Sequence, residues 1–406
     1  MSFGPLRFLH ASNARLDRPP RGTGPLSGDA RRVGEDATLI AFERLADACV
    51  EHSADFLLLT GESFDVAPTL RARRTLLSAF EALSEFGIMV YWEQARSPRL
   101  RVEQRALPLP SNVVTLRDDD SEPVAFVKDG GVAAIIGACS LGVGDRSAEQ
   151  AGESAAGGPF RLGWVPSGTP DIPNGERDRF SVAVPAGMFD YVALGCDAQK
   201  TVHPTGAAVV HSPGVLQGLC REERGPRGAS LVVVDEGRES TVSSVPLAPL
   251  RWEECRIGVD AHLTEAELIE RMQYAMLELE RLPTDELRIV RWVMVGSGPL
   301  FESLAEPGAA EAMVERVDLE GGSASSFADR HQFEFRPRRR REDDSLVEEL
   351  VSGWESPDNE ELDAVLDQLQ ERAAVSELAP VTSSLERVSR RRALESAGRL
   401  GRQWLD

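Results

Sequence analysis

Residues 55–65, Asp-Phe-Leu-Leu-Leu-Thr-Gly-Glu-Ser-Phe-Asp, constrain this chain more than any other stretch. An apolar run without polar alternation, stopped by a glycine, describes a strand covered on both faces, as in a sheet held between two layers. Gly61 frees the backbone for a tight turn, and Glu62 and Asp65 follow it. In open α/β sheets ligands bind beyond the carboxyl ends of such strands, so these carboxylates stand where chemistry is expected.

The flanking sequence predicts βαβ units. Residues 6–9 read as a strand, and the Pro- and Gly-rich stretch 18–34 reads as a loop. Asp36 caps a helix whose inner face carries Ile40, Leu45, Ala48 and Cys49. A second helix starts at Thr69, with Leu70, Leu76, Leu77, Phe80 and Leu83 as its apolar stripe, and Gly87 ends it before a strand at 88–92. From Asn112 the pattern changes to short strands at 113–116, 124–127, 132–136, 161–165, 191–194, 207–210, 231–234 and 241–245, with 142–159 as a loop. The expected fold class is α/β, a layered two-sheet sandwich flanked by helices over residues 1–250.

A small α+β cap domain is expected over 251–336. It comprises a strand at 255–259, a helix at 264–282 opened by Thr264 with Glu267 three residues on, a strand at 287–295, a helix and a strand near 333–335. Residues 337–406 read as a charged helical tail. Leu362, Leu366, Leu369 and Ala373 share one face of its first helix, and Leu385, Val388, Leu400 and Trp404 anchor the second.

A formal charge of −21 over 406 residues disfavours a general nucleic-acid binder, which needs concentrated Lys and Arg. Positive charge does cluster at Arg71, Arg73 and Arg74, at Arg96, Arg99, Arg101 and Arg105, and over 336–341, where solvated faces are the plain reading. The five cysteines are scattered, without a Cys-x-x-Cys spacing, and read as buried inert thiols. No apolar stretch is long enough to span a bilayer and the first residues lack a secretory pattern, so a cytoplasmic location is expected.

Several stretches together resemble the SbcD/YhaO-like DNA repair nuclease subunits of the calcineurin-like metallophosphoesterase superfamily. The family's first motif, His-Thr-Ala-Asp-Leu-His-Leu-Asp, corresponds to His10-Ala11-Ser12-Asn13-Ala14-Arg15-Leu16-Asp17. Its Gly-Asp-x-x-Asp appears as Gly61-Glu62-Ser63-Phe64-Asp65, and its Gly-Asn-His-Asp corresponds to Glu93-Gln94-Ala95-Arg96. Its later histidine turns correspond to Pro166-Ser167 and to Gly195-Cys196-Asp197-Ala198. The likeness extends over residues 6–252 and more weakly over 253–335.

The resemblance implies two manganese ions activating water for attack on a phosphodiester. The ligand positions are among the departures. Asn13, Arg15, Glu62, Gln94, Ala95, Cys196 and Ala198 therefore read as vestigial, with no catalytic residue, metal ligand or cofactor. A guanidinium repels a divalent cation and alanine offers it nothing. Glu62 is expected to pair with Arg15 or Arg96, Asp17 and Asp65 to serve loop hydrogen bonds, and His10 to be a non-ligand histidine beside the crevice. The implied protein is an inactive pseudo-nuclease acting as a binding or structural subunit, with a coiled-coil SbcC-like ATPase as partner, DNA reached through that complex, and no membrane. Its oligomeric state stays open. The alternative is a metal-dependent phosphoesterase or exonuclease with a reduced site at Glu62, Asp65 and Asp17. A third reading, a small anion or nucleotide held without hydrolysis, draws on Arg15, Arg96 and the helix around Arg71.

Overall fold

The computed structural model describes residues 5–16, 18–117, 122–139, 158–166, 188–195, 200–205, 208–306, 308–318 and 328–337. Strand β2 (Phe56–Thr60) is buried at every position. It lies between β1 (Leu6–Ser12) and β3 (Met89–Glu93), parallel to both. Phe56 and Leu58 face a second sheet, joining Phe8, Tyr91, Phe126, Leu162 and Trp164. Leu57 and Leu59 face two helices, α1 (Gly28–Glu51) and α2 (Leu70–Glu85), and join Phe42, Leu45 and Phe80. Two buried faces account for the unbroken apolar run.

The first sheet continues with β4 (Val113–Leu116) beside β3, and with β11 (Gly228–Val234) and β12 (Ser240–Pro246) beyond β1, in the order β12-β11-β1-β2-β3-β4. The second comprises β5 (Val124–Lys128), β6 (Gly131–Ala138), β7 (Phe160–Val165), β8 (Tyr191–Leu194), β9 (Thr201–Thr205) and β10 (Ala208–Ser212), in the order β5-β6-β7-β8-β10-β9. The fold is thus a mixed α/β sandwich of two large sheets, as expected. Strand β9 was not anticipated because it contains Pro204. It lies at the edge of its sheet, where a missing backbone donor is tolerated. Helix α3 (Pro98–Arg105), which follows β3, was also missed, since Leu100 is its only buried apolar residue and gives no stripe to read.

Helix α1 begins at Gly28, well before the expected cap at Asp36. Its first turns carry only Ala30, Val33 and Ala37 as apolar residues. These pack on Leu250, Trp252, Leu287 and Ile289 of a third sheet, so the helix is extended by tertiary contact rather than by its own periodicity. Arg44 of the same helix reinforces the contact by donating to the carbonyls of Leu247 (3.2 Å) and Thr284 (2.7 Å) and pairing with Glu286. On α2 the structure corrects the expected stripe: Leu76, Phe80 and Leu83 are buried, whereas Leu70 is 85% exposed.

The third sheet comprises β13 (Leu250–Val259), β14 (Leu287–Gly296) and β15 (Ala328–Pro337), all parallel. Its connections are crossover helices: α4 (Glu265–Glu278), then α5 (Pro299–Ala305) and α6 (Ala309–Asp318) in place of the single helix expected. The capping box at Thr264 and Glu267 forms as predicted, though α4 stops at Glu278 rather than at 282. The tail from 338 and residues 142–157 of the expected loop lie outside the described residues.

Trp252 is 2% exposed and its Nε1 donates to the Gly218 carbonyl at 3.1 Å, so it locks the third sheet to α1 and to the first layers. Trp252→Ala should lower unfolding stability by about 3–5 kcal/mol, measured by urea denaturation. An unchanged midpoint would show that the third sheet contributes nothing to the sandwich.

Candidate functional site

The crevice forms where β1, β2, β3 and β8 end. Gly61, just past β2, has φ of +71°, and a Cβ there would come within 2.5 Å of both Asn13 Oδ1 and the Gly195 carbonyl. Gly195, just past β8, is equally confined, since its Cβ would lie 2.4 Å from Gly61 N. Two glycines therefore let the ends of the two sheets touch backbone to backbone.

Asn13 ties this contact together. It adopts φ of +50°, a left-handed conformation that asparagine tolerates better than most residues, and is 8% exposed. Its Nδ2 donates to the Gly195 carbonyl at 2.8 Å, and its Oδ1 accepts from Glu62 N at 3.1 Å. Its own N–H donates to the Thr60 carbonyl at 3.1 Å. The partners fix the amide's orientation: flipping it would set oxygen against a carbonyl and NH2 against an N–H.

The β3 end is held by Glu93 and α3. Glu93 Oε2 accepts from Gly61 N at 2.5 Å. Gln104 of α3 donates to the Glu93 carbonyl at 3.1 Å and accepts from Ala95 N at 2.7 Å, while Arg101 Nε donates to the Ala95 carbonyl at 2.8 Å. Ala95 thus contributes backbone alone. Sequence reading missed Glu93 and Gln104 in these roles. Glu93 stands where the family places a glycine, and that departure was the available signal.

Of the two partners expected for Glu62, Arg15 is excluded and Arg96 is met through its backbone. Arg15 does not pair with Glu62: its Nη1 meets Glu223 Oε1 at 2.8 Å. The reason is backbone direction. Arg15 has φ of +44°, and Glu223 is already fixed in the crevice wall by accepting from Leu219 N at 2.7 Å. Nothing in the sequence near Glu223 signalled this. Glu62 instead accepts a backbone hydrogen bond from Arg96. Burial pushes the Glu62 carboxyl upward and Asp65 adds to the push, against the Arg96 hydrogen bond and the charges of Arg96 and Arg101. Asp65 pairs with Arg18 at 3.0 Å, a loop role as expected. Buried Glu62 Oε2 and Gln94 Oε1 have no hydrogen-bond partner among the described residues. Asp17, Ser167, Cys196 and Ala198 lie outside the described residues.

Behind the crevice, His10 is fully buried between the sheets, with Nδ1 2.9 Å from the Tyr191 hydroxyl and Nε2 2.9 Å from Thr60 Oγ1. His211 is also fully buried, 5.8 Å away edge to face, with Nδ1 2.6 Å from the Thr201 carbonyl and Nε2 2.9 Å from Ser230 Oγ. Burial holds both imidazoles neutral, His10 well below the usual histidine range and His211 down to about 4. Both ring nitrogens of each are engaged, which makes His10 structural.

Among the described residues, those at the motif positions do not fit a two-ion centre. Both ends of the Asn13 amide are taken by protein groups, Arg15 brings a cation to the rim, and Ala95 has no donor atom. Among the described residues no three His, Cys, Asp or Glu side chains stand together as a metal-holding group. Burial pushes the Cys49 thiol up to about 12 and that of Cys255 up to about 11, whereas Cys220 is half-buried rather than buried as expected. No described helix is long and apolar enough to cross a membrane.

A sequence comparison finds a curated relative of the metallophosphoesterase kind. The chain is 26% identical over 329 residues to the uncharacterized metallophosphoesterase YhaO of Bacillus subtilis (strain 168), covering 79% of each protein. No protein-family model matches. Among solved structures, an archaeal phosphodiesterase aligns at 11% identity and TM-score 0.31, over 59% of this chain and all of its own. A Staphylococcus aureus protein described as a 5'-nucleotidase aligns at 12% identity and TM-score 0.36, over 67% of this chain and 58% of its own.

Asn13→Asp should be destabilising, because a carboxylate cannot donate to the Gly195 carbonyl and would face it at 2.8 Å. A loss of about 2–4 kcal/mol is expected, unrelieved by manganese, in thermal melts with and without the ion. A melting point restored by manganese would show that the position still accepts metal ligation.

The buried histidines give a pH dependence. Unfolded, each titrates near 6.5, whereas both stay neutral in the fold. Below pH 6.5 the unfolded chain therefore takes up more protons. Stability is full above that pH and falls toward pH 4, by about 3 kcal/mol for His211 alone. Denaturant midpoints measured between pH 7.5 and 4 check this. A slope unchanged in His211→Gln would remove His211 as its source.

Proposed function

We propose that this metallophosphoesterase homologue no longer hydrolyses phosphodiesters and serves in the cytoplasm as a binding or structural subunit. Its partner would be a coiled-coil ATPase of the SbcC kind, with DNA reached through that complex. One observation carries the loss of hydrolysis: the Asn13 amide bonds directly to Gly195 and Glu62, closing with protein hydrogen bonds the junction that bridging ions would otherwise occupy. Arg15 supports it, because its guanidinium has no lone pair to offer a cation and is engaged with Glu223. The partner rests on the resemblance and on the leucine stripe at Leu362, Leu366 and Leu369, which needs a surface to bury against.

A second reading has its own observation. Glu62 Oε2 and Gln94 Oε1 are buried acceptors without donors among the described residues, and a bound cation is one way to satisfy such oxygens. That is the reduced-site phosphoesterase.

Metal analysis of the washed protein, with manganese-supplemented nuclease assays on single- and double-stranded DNA, separates the two. The expected result is no stoichiometric metal and no cleavage above a control protein. Bound metal, together with cleavage abolished by Glu62→Ala, would overturn the inactive reading.

A further inference from the structure

Helices α2 and α3 border the crevice and are joined by the Arg73–Glu103 ion pair at 2.6 Å. Their outer surface leaves apolar side chains uncovered: Leu70 is 85% exposed, Val102 68%, and Val66, just before α2, 52%. Exposed arginines accompany them. Arg71 is paired with Asp36, and Arg74 shares a groove with Glu43 and Asp47 without an ion pair to either, whereas Arg99 and Arg105 have no carboxylate partner among the described residues. An apolar strip flanked by arginines, with Arg99 and Arg105 unpaired beside Val102, favours an occupant that carries both leucines and carboxylates. A nucleic acid would satisfy the arginines but leave the strip uncovered. A second copy meeting this face with its own would set arginine against arginine.

The chain contains a segment of the required chemistry. Residues 342–377 hold thirteen Asp and Glu against a single basic residue, Arg372, and carry Leu362, Leu366 and Leu369 at helical spacing. Reach is not limiting. Gln332 of β15 donates to the Gly22 carbonyl at 2.7 Å, and the same loop carries Arg18, which pairs with Asp65 beside Val66 at 3.0 Å. The linker from 338 to 362 spans at most roughly 80 Å when extended.

We infer that the acidic segment 342–377 docks onto the α2/α3 face of its own chain, its leucines on Val66, Leu70 and Val102 and its carboxylates toward Arg74, Arg99 and Arg105. A partner that takes up the segment through the same leucines would compete with this docking. The docking does not depend on whether the crevice hydrolyses anything.

A photo-crosslinking amino acid in place of Val102 in the full-length chain tests this, with adducts mapped by mass spectrometry after digestion. Intrachain adducts within 342–377 are expected. Their yield should fall about fivefold or more at roughly 0.5 M salt, where exposed charges are screened. It should fall likewise in Arg74→Glu/Arg99→Glu/Arg105→Glu and, with the folded layers untouched, in Leu362→Ser/Leu366→Ser/Leu369→Ser. Adducts confined to a species of twice the mass would assign the face to a second copy. Absence of adducts in 342–377, or a yield indifferent to all three changes, would also overturn the proposal.

Discussion

The contact on which this architecture turns is the meeting of Gly61 and Gly195, bridged by the side chain of Asn13. Two sheets packed face to face approach closest where strand ends converge, and there backbone polar groups lose water. Those groups must be paired within the protein or through something bound, because a buried unpaired amide or carbonyl costs about 1–3 kcal/mol. Here one amide side chain serves both sheets, accepting from the first at Glu62 and donating to the second at Gly195. The rest of the crevice is arranged around that tie, with Glu93 holding the Gly61 N–H and Gln104 of α3 holding both Glu93 and Ala95.

The same economy extends inward. His10 and His211 sit between the sheets with each ring nitrogen matched to a partner, so two groups that ordinarily titrate near neutrality act as uncharged hydrogen-bonding cores. At the rim, charge is neutralised locally. Arg15 is paired with Glu223 and Asp65 with Arg18, while Glu62 Oε2, Gln94 Oε1 and Asp65 Oδ2 are buried oxygens of this region that accept no hydrogen bond among the described residues. Any ligand of the crevice would have to answer those oxygens.

The unmatched arginines of α2 and α3 lie on the outer side of the same framework. The face is apolar and basic while the chain as a whole carries a charge of −21. Distribution, rather than total charge, decides which surfaces attract one another. Acid and base are separated along this chain, and the fold sets the basic part beside the crevice.

The sequence by itself determined the layered α/β sandwich, because a strand such as 56–60 can be apolar throughout only when both its faces are covered. Set beside the motifs it resembles, it also showed Asn13, Arg15 and Ala95 as differences of residue type, legible without coordinates. It gave no warning of α3, whose single buried Leu100 leaves no periodic signal, or of β9, where Pro204 reads as a loop until its edge position is known. The early start of α1 was equally invisible, because Ala30, Val33 and Ala37 become a stripe only against Trp252 and Ile289, more than two hundred residues away in the chain. Pairing was decided by tertiary structure alone. Arg15 had Glu62 as its near candidate, and a left-handed backbone together with a prefixed Glu223 took it elsewhere. Composition and periodicity report what a segment can bury, whereas the partner of a polar group depends on directions that exist only once the layers have closed.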